Sequence, residues 1–422
     1  MAAALGAMKK SSPYNRSRGA VIESTAVKER RHGAGYGWVV VAAAFTLMLV
    51  GFAAAYSFAA FFTAFETEFG ASRGHIALVF SVAAFTWFLL GAPGGVAADR
   101  FGPRRVALVG VACLAAALAL ASAAGSVTVL YVTYSIGIGL GVGLVYVPSV
   151  GAVQPWFGAN RAFASGLAVA GIGAGNIAGP LLAAWWIERL GWRGAYLALS
   201  VFVLVLGGAA ALAIRQKPVA RRQEVPGTAL LPALGTSAFW LLYASLVLSC
   251  IGLFVPMVHL GAYAQDVGLT AAQGVTLVSL IGLGSLLGRF AVGGFAERLG
   301  RQPSLAAMYF GLGAMLLVWL GAQSYWLLAL FAVVFGMCYG AYVALLPTIV
   351  MDLYGARAVS GIIGFLYTGA GVGTLLGPWL AGAAYDALGA YDLPIMAGAL
   401  FSFAASACIL VLHEKTKAHH RR

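Results

Sequence analysis

Charged residues are scarce in this chain of 422 residues. Only 9% of its residues are Asp, Glu, Lys or Arg, whereas 61% are hydrophobic. A water-soluble fold is excluded, because so few charges cannot cover so much apolar side chain. Apolar runs of about 20 residues, the length that crosses a bilayer as a helix, recur along the whole chain. Since a helix satisfies its own backbone hydrogen bonds in lipid, these runs predict an integral membrane protein of spanning helices.

Cysteine and catalytic clusters are scarce as well. The four cysteines, Cys113, Cys250, Cys338 and Cys408, fall in four different apolar runs without a CxxC or Cys/His cluster, so neither a disulfide framework nor a metal site is expected. The runs contain no HExxH, no paired carboxylates and no nucleophile beside a base, so we expect neither an enzyme nor a cofactor. Residues 1–35 lack an apolar stretch followed by a small-residue cleavage site, which predicts no cleaved signal peptide.

The hydrophobic runs predict an all-α membrane protein of twelve spans. Numbered in chain order, the predicted spans are 36–64, 75–97, 104–123, 126–153, 161–187, 193–215, 237–264, 272–296, 303–322, 325–350, 357–384 and 390–413. Residues 1–35 form an N-terminal segment, 217–235 a basic, proline-containing linker and 414–422 a tail. The linker separates two six-helix bundles, at 36–216 and 236–413.

The 26 basic residues are distributed unevenly between the two sides of the predicted bundle. The N-terminal segment, the alternate loops that share its side and the tail hold 22 of them, and the opposite loops hold only Arg73, Arg189 and Arg193. Only Arg289 remains inside a span. The positive-inside rule therefore predicts a plasma-membrane protein with both termini cytoplasmic, and the basic net charge needs no nucleic-acid partner.

The two predicted halves are related by an internal repeat with an offset of 198 residues. The matching residues are Gly171, Gly173, Gly175, Gly179, Pro180, Glu188 and Gly191 in the first half and Gly369, Gly371, Gly373, Gly377, Pro378, Asp386 and Gly389 in the second. The same offset places Asp99 over Glu297. The repeat predicts two pseudo-symmetric bundles.

The loop after span 2 reads GGVAADRFGPRR and resembles the loop signature of the major facilitator superfamily. The matching residues are Gly95, Asp99, Arg100, Gly102, Arg104 and Arg105, with a degenerate copy at Gly293, Glu297, Arg298, Gly300 and Arg301. A glycine one turn before the acid lets a neighbouring helix come close, and the acid can accept hydrogen bonds from that neighbour's N-terminal amides. We expect this loop to stabilise the outward-open state; a plain positively charged turn is the simpler alternative.

Further motifs resemble the monocarboxylate transporter and oxalate/formate antiporter branch of that superfamily, over about residues 36–413. They are GWVVVAAAF at 37–45, GLVYVPSVGAVQPWF, RAFASGLAVAGIGAG, FVPMVHLGAYAQDVG, GMCYGAYVALLP and an arginine in span 8. The resemblance implies the twelve-helix major facilitator fold, alternating access between two halves and a substrate site near the membrane midplane.

Arg289 is the leading candidate for binding substrate. An unpaired cation in hydrocarbon costs about 2.5–3.5 kcal/mol or more, so it should face an anion or a water-filled cavity. Gly282, Ser285 and Gly293 lie on its helical face and leave room beside the guanidinium. Its planar fork matches a carboxylate bidentately, and the resemblance implies that it binds the substrate carboxylate. The alternative is that it snorkels towards the cytoplasm or pairs with an acid such as Glu297, about 12 Å along the helix.

The other candidate binding residues are Ser285, Tyr146 near Pro148, Tyr339 and Tyr342 in span 10, and Asn176, the only amide in span 5. For the tyrosines the alternative is packing, and for Asn176 a helix–helix bridge. His259 suggests a proton relay, but an interfacial histidine is the commoner case.

The sequence thus predicts a monomeric carrier for a small monocarboxylate of the lactate or pyruvate kind, with symport of a proton. Ala370 stands about where dicarboxylate-transporting relatives carry a lysine, so one cation remains and a monoanion is favoured. Ser285 stands where many proton-coupled relatives carry an acid or amide, so no proton acceptor is visible. An organic-anion antiporter, a drug exporter and a channel are the alternatives.

Overall fold

The computed structural model describes residues 13–157, 161–216, 227–355 and 357–420. Residues 1–12 of the predicted N-terminal segment and 217–226 of the predicted linker lie outside the described part. Long helices dominate the rest, as expected for a chain whose backbone groups must be satisfied within lipid.

The helices follow the predicted spans closely. In the first half, span 1 is Pro13–Tyr56 with Phe58–Phe69, span 2 is Arg73–Phe101, and span 3 is Pro103–Ser122. Span 4 consists of Val127–Leu130, the π-helical turn Tyr131–Ile136 and Gly137–Val153, and spans 5 and 6 consist of Arg161–Phe202, Val203–Gly207 and Gly208–Ala213. In the second half, spans 7 to 12 are Ser237–Asp266, Ala271–Leu299, Arg301–Leu320, Tyr325–Tyr354, Val359–Leu388 and Asp392–His420.

A glycine bend separates spans 5 and 6. The described residues contain 11 helices long and apolar enough to cross a membrane, one of which, Phe163–Ala213, has 51 residues. A straight helix of that length would measure about 76 Å, more than twice the hydrocarbon thickness. Gly191 breaks it with φ 68° and ψ 171°, a conformation that residues with a side chain rarely adopt. Counted on either side of Gly191, the spans number twelve, which confirms the predicted fold.

Helical structure extends beyond the predicted spans at both ends of the chain. Span 1 begins at Pro13 instead of residue 36, and span 12 continues to His420 instead of ending at 413. The last residues, EKTKAHH, contain good helix formers and neither glycine nor proline, so nothing stops the helix at the edge of the lipid. A short helix, Leu230–Leu234, lies in the region predicted as linker.

The 198-residue repeat recurs in the packing of span 5 on span 1 and of span 11 on span 7. A Cβ atom at Gly175 would lie 2.6 Å from the carbonyl oxygen of Leu49, and one at Gly373 would lie 2.4 Å from that of Val247. Leu49 and Val247 are themselves 198 residues apart. The repeated glycines therefore make the same close backbone contact in both halves, as small residues do between helices in lipid.

Glycines also bring spans 8 and 10 together within the second half. A Cβ atom at Gly288 would lie 2.1 Å from the carbonyl oxygen of Met337, and one at Gly340 would lie 1.9 Å from that of Ser285. This backbone contact fixes Arg289 of span 8 beside Tyr339 of span 10.

The spans alternate in direction, so the bundle has a terminal face, which carries both termini, and an opposite distal face. At the distal face Arg73 of span 2 joins the two halves. Its Nη1 and Nη2 donate to the carboxylate oxygens of Asp266 in span 7 over 2.5 and 2.8 Å, and its Nε donates to Glu66 over 3.1 Å. Its side chain is only 9% exposed. We call Arg73, Asp266 and Glu66 the distal ion-pair cluster. Among the described residues, no ion pair joins the halves at the terminal face.

The repeat is broken beside this cluster. Asp386, at the end of span 11, accepts hydrogen bonds from the backbone N–H groups of Arg73 and Gly74 over 2.9 and 2.8 Å and so caps span 2 from the other half. Its repeat partner Glu188 is exposed and does not cap span 8. There Thr270 forms a capping box within its own chain segment. At the distal face a carboxylate of span 11 therefore caps span 2, whereas spans 5 and 8 have no such contact in the described residues.

We expect the span 8–span 10 contact to be intolerant of a methyl group. Gly340→Ala places a Cβ atom against the Ser285 carbonyl, and the forced shift should destabilise the protein by about 1–3 kcal/mol. The measurement is the thermal unfolding midpoint of purified protein in detergent. Gly208→Ala is the matched control, because a Cβ atom there meets nothing within 4 Å. A Gly340→Ala protein as stable as the control contradicts the expectation.

Candidate functional site

A cavity of about 50 Å3 lies between the two halves. Its lining is largely aromatic and comprises Phe52, Tyr56, Trp87, Phe88, Tyr146, Ile172, Leu246, Phe254, Arg289, Tyr339, Tyr342, Val343, Leu346, Tyr367 and Ala370. The guanidinium of Arg289 is the one charged group in this lining, and no carboxylate faces it there. Such a site can hold a small anion against an apolar wall.

Arg289 is only partly satisfied by the protein. Its Nη1 donates to the carbonyl oxygen of Val169 in span 5, over 3.1 Å, so the side chain crosses from the second half to the first. Its Nε and Nη2 are buried and have no hydrogen-bond partner in the described part of the chain. No described Asp or Glu forms an ion pair with it. The group neither snorkels into bulk water nor pairs with Glu297, and its unpaired donors lie beside the cavity.

Three of the sequence-predicted binding residues share this cavity with Arg289. Tyr146 lines it from span 4, and Tyr339 and Tyr342 line it from span 10. The Tyr342 hydroxyl lies 3.8 Å from the sulfur of Cys250. Ala370 also lines the cavity, so this position of span 11 contributes no charge.

Two predicted residues do not line the cavity. Ser285 is fully buried behind Arg289, where its backbone meets Gly340, and its hydroxyl has no hydrogen-bond partner in the described residues. Asn176 is buried where span 5 meets span 8 beside Gly282, and its Nδ2 lies 3.8 Å from the sulfur of Met257. Helical spacing placed Ser285 near Arg289, but it lies at the contact of spans 8 and 10, and the position of Asn176 agrees with the alternative of a helix–helix bridge.

The loop after span 2 allows the close helix contact that its motif predicts, but Asp99 does not accept from the described residues the hydrogen bonds that were expected of it. Gly102 has φ 89°, and Gly300, at the equivalent place in the second half, has φ 87°, so both loops turn sharply. A Cβ atom at Gly95 would lie 3.1 Å from Val147 of span 4, so this glycine allows a close neighbour. Asp99 is exposed and makes no ion pair or hydrogen bond in the described residues.

The four other residues of the motif lie at the terminal face. Arg100 follows Asp99 directly and Gly102 lies two residues further on, and the guanidinium of Arg100 lies 5.3 Å from the ring centre of Phe101. Arg104 and Arg105 line a separate cleft with Arg215. None of them touches the central cavity, so any role in gating is exerted from the membrane edge.

His259 is held in one tautomer by two hydrogen bonds and is fully buried. Its Nε2 lies 2.8 Å from the carbonyl oxygen of Pro378, which can only accept, so the ring proton belongs on Nε2. Its Nδ1 therefore accepts from the hydroxyl of Tyr391 at 3.0 Å. Burial raises the pKa of Tyr391, which keeps that hydroxyl protonated, and the Nη1 of Arg73 donates to its oxygen. His259 thus supports the distal ion-pair cluster as a neutral ring.

Among the cavity residues that sequence reasoning missed, three carry a hydrogen-bond donor: Tyr56, Trp87 and Tyr367. Tyr56 ends the first helix of span 1, and its hydroxyl lies 3.1 Å from that of Tyr339. An isolated tyrosine in an otherwise apolar run was the available signal, but aromatic residues are too frequent in this chain for that signal to single it out.

Comparison with known proteins agrees with this architecture. The family model of the Major Facilitator Superfamily matches residues 43–321 and 251–422. Monocarboxylate transporter 13 of Rattus norvegicus is 28% identical over 90% of this chain and 89% of its own length. Monocarboxylate transporter 3 of the same species is 31% identical over 85% and 76%.

Among solved structures, a bacterial homologue of the human lysosomal transporter Spinster superposes with a TM-score of 0.71. The match covers 89% of this chain and 97% of that one at 16% sequence identity, which supports the fold alone. Together with the sequence matches, it shows that the chain belongs to the major facilitator superfamily, as a relative of its monocarboxylate transporters.

Proposed function

We propose that this protein is a secondary carrier that moves a small monocarboxylate across the plasma membrane by alternating access, with Arg289 holding the carboxylate. The observation that carries the proposal is the pair of buried Arg289 donors, Nε and Nη2, which have no protein acceptor beside a cavity without carboxylates. A buried cation stripped of water needs an anion to offset its desolvation, and a carboxylate accepts both N–H groups at once.

The size and charge of the cavity narrow the cargo. Pockets for drug-sized ligands measure about 300–1,000 Å3, whereas this cavity measures about 50 Å3, which favours a small acid of the lactate or pyruvate kind over a drug exporter's substrates. One guanidinium, with Ala370 in place of a second cation, balances a monoanion. Tyr146, Tyr339 and Tyr342 complete the shell around it. Ser285 and Asn176 contribute only indirectly, by setting the positions of spans 8 and 5.

Charge distribution supports an orientation with both termini in the cytoplasm, because the terminal face carries most of the basic residues. In that orientation the distal ion-pair cluster closes the outer side, and the structure corresponds to an inward-facing state. The free carboxylate of Asp99 fits this state, since its loop is proposed to act in the outward-open one. The protein works as a monomer, and a proton accompanies the acid.

We expect Arg289→Lys to abolish transport without loss of protein from the membrane. A lysine keeps the charge but cannot present two coplanar N–H donors, and losing a buried pair costs about 2–5 kcal/mol, at least about 30-fold in uptake efficiency. The measurement is uptake of radiolabelled monocarboxylates into proteoliposomes. Arg189→Lys, at an exposed arginine that bonds within its own helix, is the control. Uptake by Arg289→Lys at the wild-type rate contradicts the assignment.

Proton symport predicts that an inwardly directed proton gradient drives accumulation of the acid in proteoliposomes, and that a protonophore removes it. Neutral acids also leak through lipid, so proteoliposomes with Arg289→Lys set the baseline. If uptake above that baseline requires an anion inside the proteoliposomes and does not depend on the proton gradient, the protein is an anion exchanger and the symport prediction is wrong.

Alternating access predicts that the distal ion-pair cluster holds the outer side closed. Arg73→Gln leaves Asp266 and Glu66 without their cation and should populate the outward-open state. Spin labels at Gly125 and Gly321, which have open space in the two halves, should then report a longer distance. Arg193→Gln is the control, because Arg193 pairs with Glu68 inside one half. A distance distribution unchanged by Arg73→Gln counts against this role.

A further inference from the structure

A pair of hydroxyl groups straddles the two halves inside the central cavity. Tyr56 of span 1 and Tyr339 of span 10 place their oxygens 3.1 Å apart. Both side chains are buried, with 2% and 5% exposure, and both line the cavity that contains Arg289. The pair is therefore a polar contact between the halves in the cavity whose lining has Arg289 as its one charged residue.

The two hydroxyl groups have more protons to donate than the described part of the protein has acceptors for them. Each phenol carries one proton, and the bond between the two oxygens uses only one of them. The described residues supply no other hydrogen-bond acceptor to either hydroxyl. One O–H proton is therefore left without an acceptor in a buried place, which is costly unless something in the cavity accepts it.

The unpaired hydroxyl proton and the unpaired guanidinium donors border one cavity. Nε and Nη2 of Arg289 also lack acceptors, and no carboxylate lines the cavity. These groups give the cavity at least three surplus donors, and its lining has no acidic side chain. A carboxylate has about four lone-pair directions and can accept from all three.

We propose that the Tyr56–Tyr339 hydroxyl pair is the third donor of the anion site and binds the substrate carboxylate together with Arg289. This inference rests on the proposed function, and it adds Tyr56, a residue of the first half, to the residues that bind the substrate. The bound carboxylate then contacts donors of both halves, so its binding draws the halves together around the cavity.

Single and double variants distinguish this proposal from the alternative that the hydroxyl pair only holds the two halves together. If either tyrosine becomes phenylalanine, the remaining hydroxyl loses its partner but keeps a proton that it can give to the carboxylate. Only loss of both hydroxyls removes the donor. If the pair merely braced the halves, each single change would already break the bond and the double change would add nothing.

The test is equilibrium binding of radiolabelled pyruvate to purified protein, with wild type, Tyr56→Phe, Tyr339→Phe and the double variant. The double variant should bind about tenfold more weakly or worse, the effect of losing one hydrogen bond to a charged group, and each single variant should lose clearly less. Tyr134→Phe is the matched control, because it removes a buried hydroxyl that bonds to Ala54 and Ala55, just before Tyr56, outside the cavity.

The inference is overturned if the double variant binds like the wild type, if the single variants lose as much as the double, or if Tyr134→Phe weakens binding equally. Arg289→Lys, measured beside them, separates this failure from failure of the proposed function. Loss of binding in Arg289→Lys with none in the double variant removes only the role of the hydroxyl pair. The proposed function itself is contradicted if Arg289→Lys still binds pyruvate, or if the wild type does not bind it.

Discussion

One guanidinium without a carboxylate partner is the constraint on which the centre of this protein depends. In low dielectric an unpaired cation is expensive, and here the protein offers Arg289 only the carbonyl of Val169 and a wall of aromatic rings. A permanent acidic partner would lower that cost, but it would also occupy the donors. The molecule instead carries a buried cation that is only partly satisfied, at the contact between its two halves. A transient anion can complete that coordination.

Backbone packing makes this arrangement possible. The glycines of spans 8 and 10 let the two helices touch along their carbonyls, and the repeated glycines of spans 5 and 11 do the same against spans 1 and 7. At these contacts the helix backbones meet without side chains between them. Nine aromatic side chains line the cavity between the halves, where they shape a small apolar space beside one charge.

The fold could be predicted from the lengths of the hydrophobic runs, the charges of the loops and the 198-residue repeat, because each of these features depends directly on how a chain crosses lipid. Most span ends lie within five residues of the prediction, and the largest differences are at the two ends of the chain, where span 1 begins at Pro13 and span 12 continues to His420. Arg289 could be singled out because charge is rare in this chain. Tyr56 could not, since its importance depends on meeting Tyr339, 283 residues away. Helical spacing could not tell whether Ser285 faces the cavity or a neighbouring helix, and the two alternatives for Asn176, cavity lining and a helix–helix bridge, could be separated only by the packing of spans 5 and 8.

The break in the repeat at Asp386 makes the two seams between the halves chemically unlike. One seam, at spans 2 and 11, has the Asp386 carboxylate on the span 2 backbone beside the Arg73–Asp266 ion pair, whereas the seam at spans 5 and 8 relies on small residues and buried contacts. Separating the first seam leaves charged groups without their partners, whereas separating the second loses mainly close packing. A pseudo-symmetric pair of bundles thereby acquires two unlike sides, one whose opening must compensate unpaired charges and one whose opening must compensate lost helix contacts.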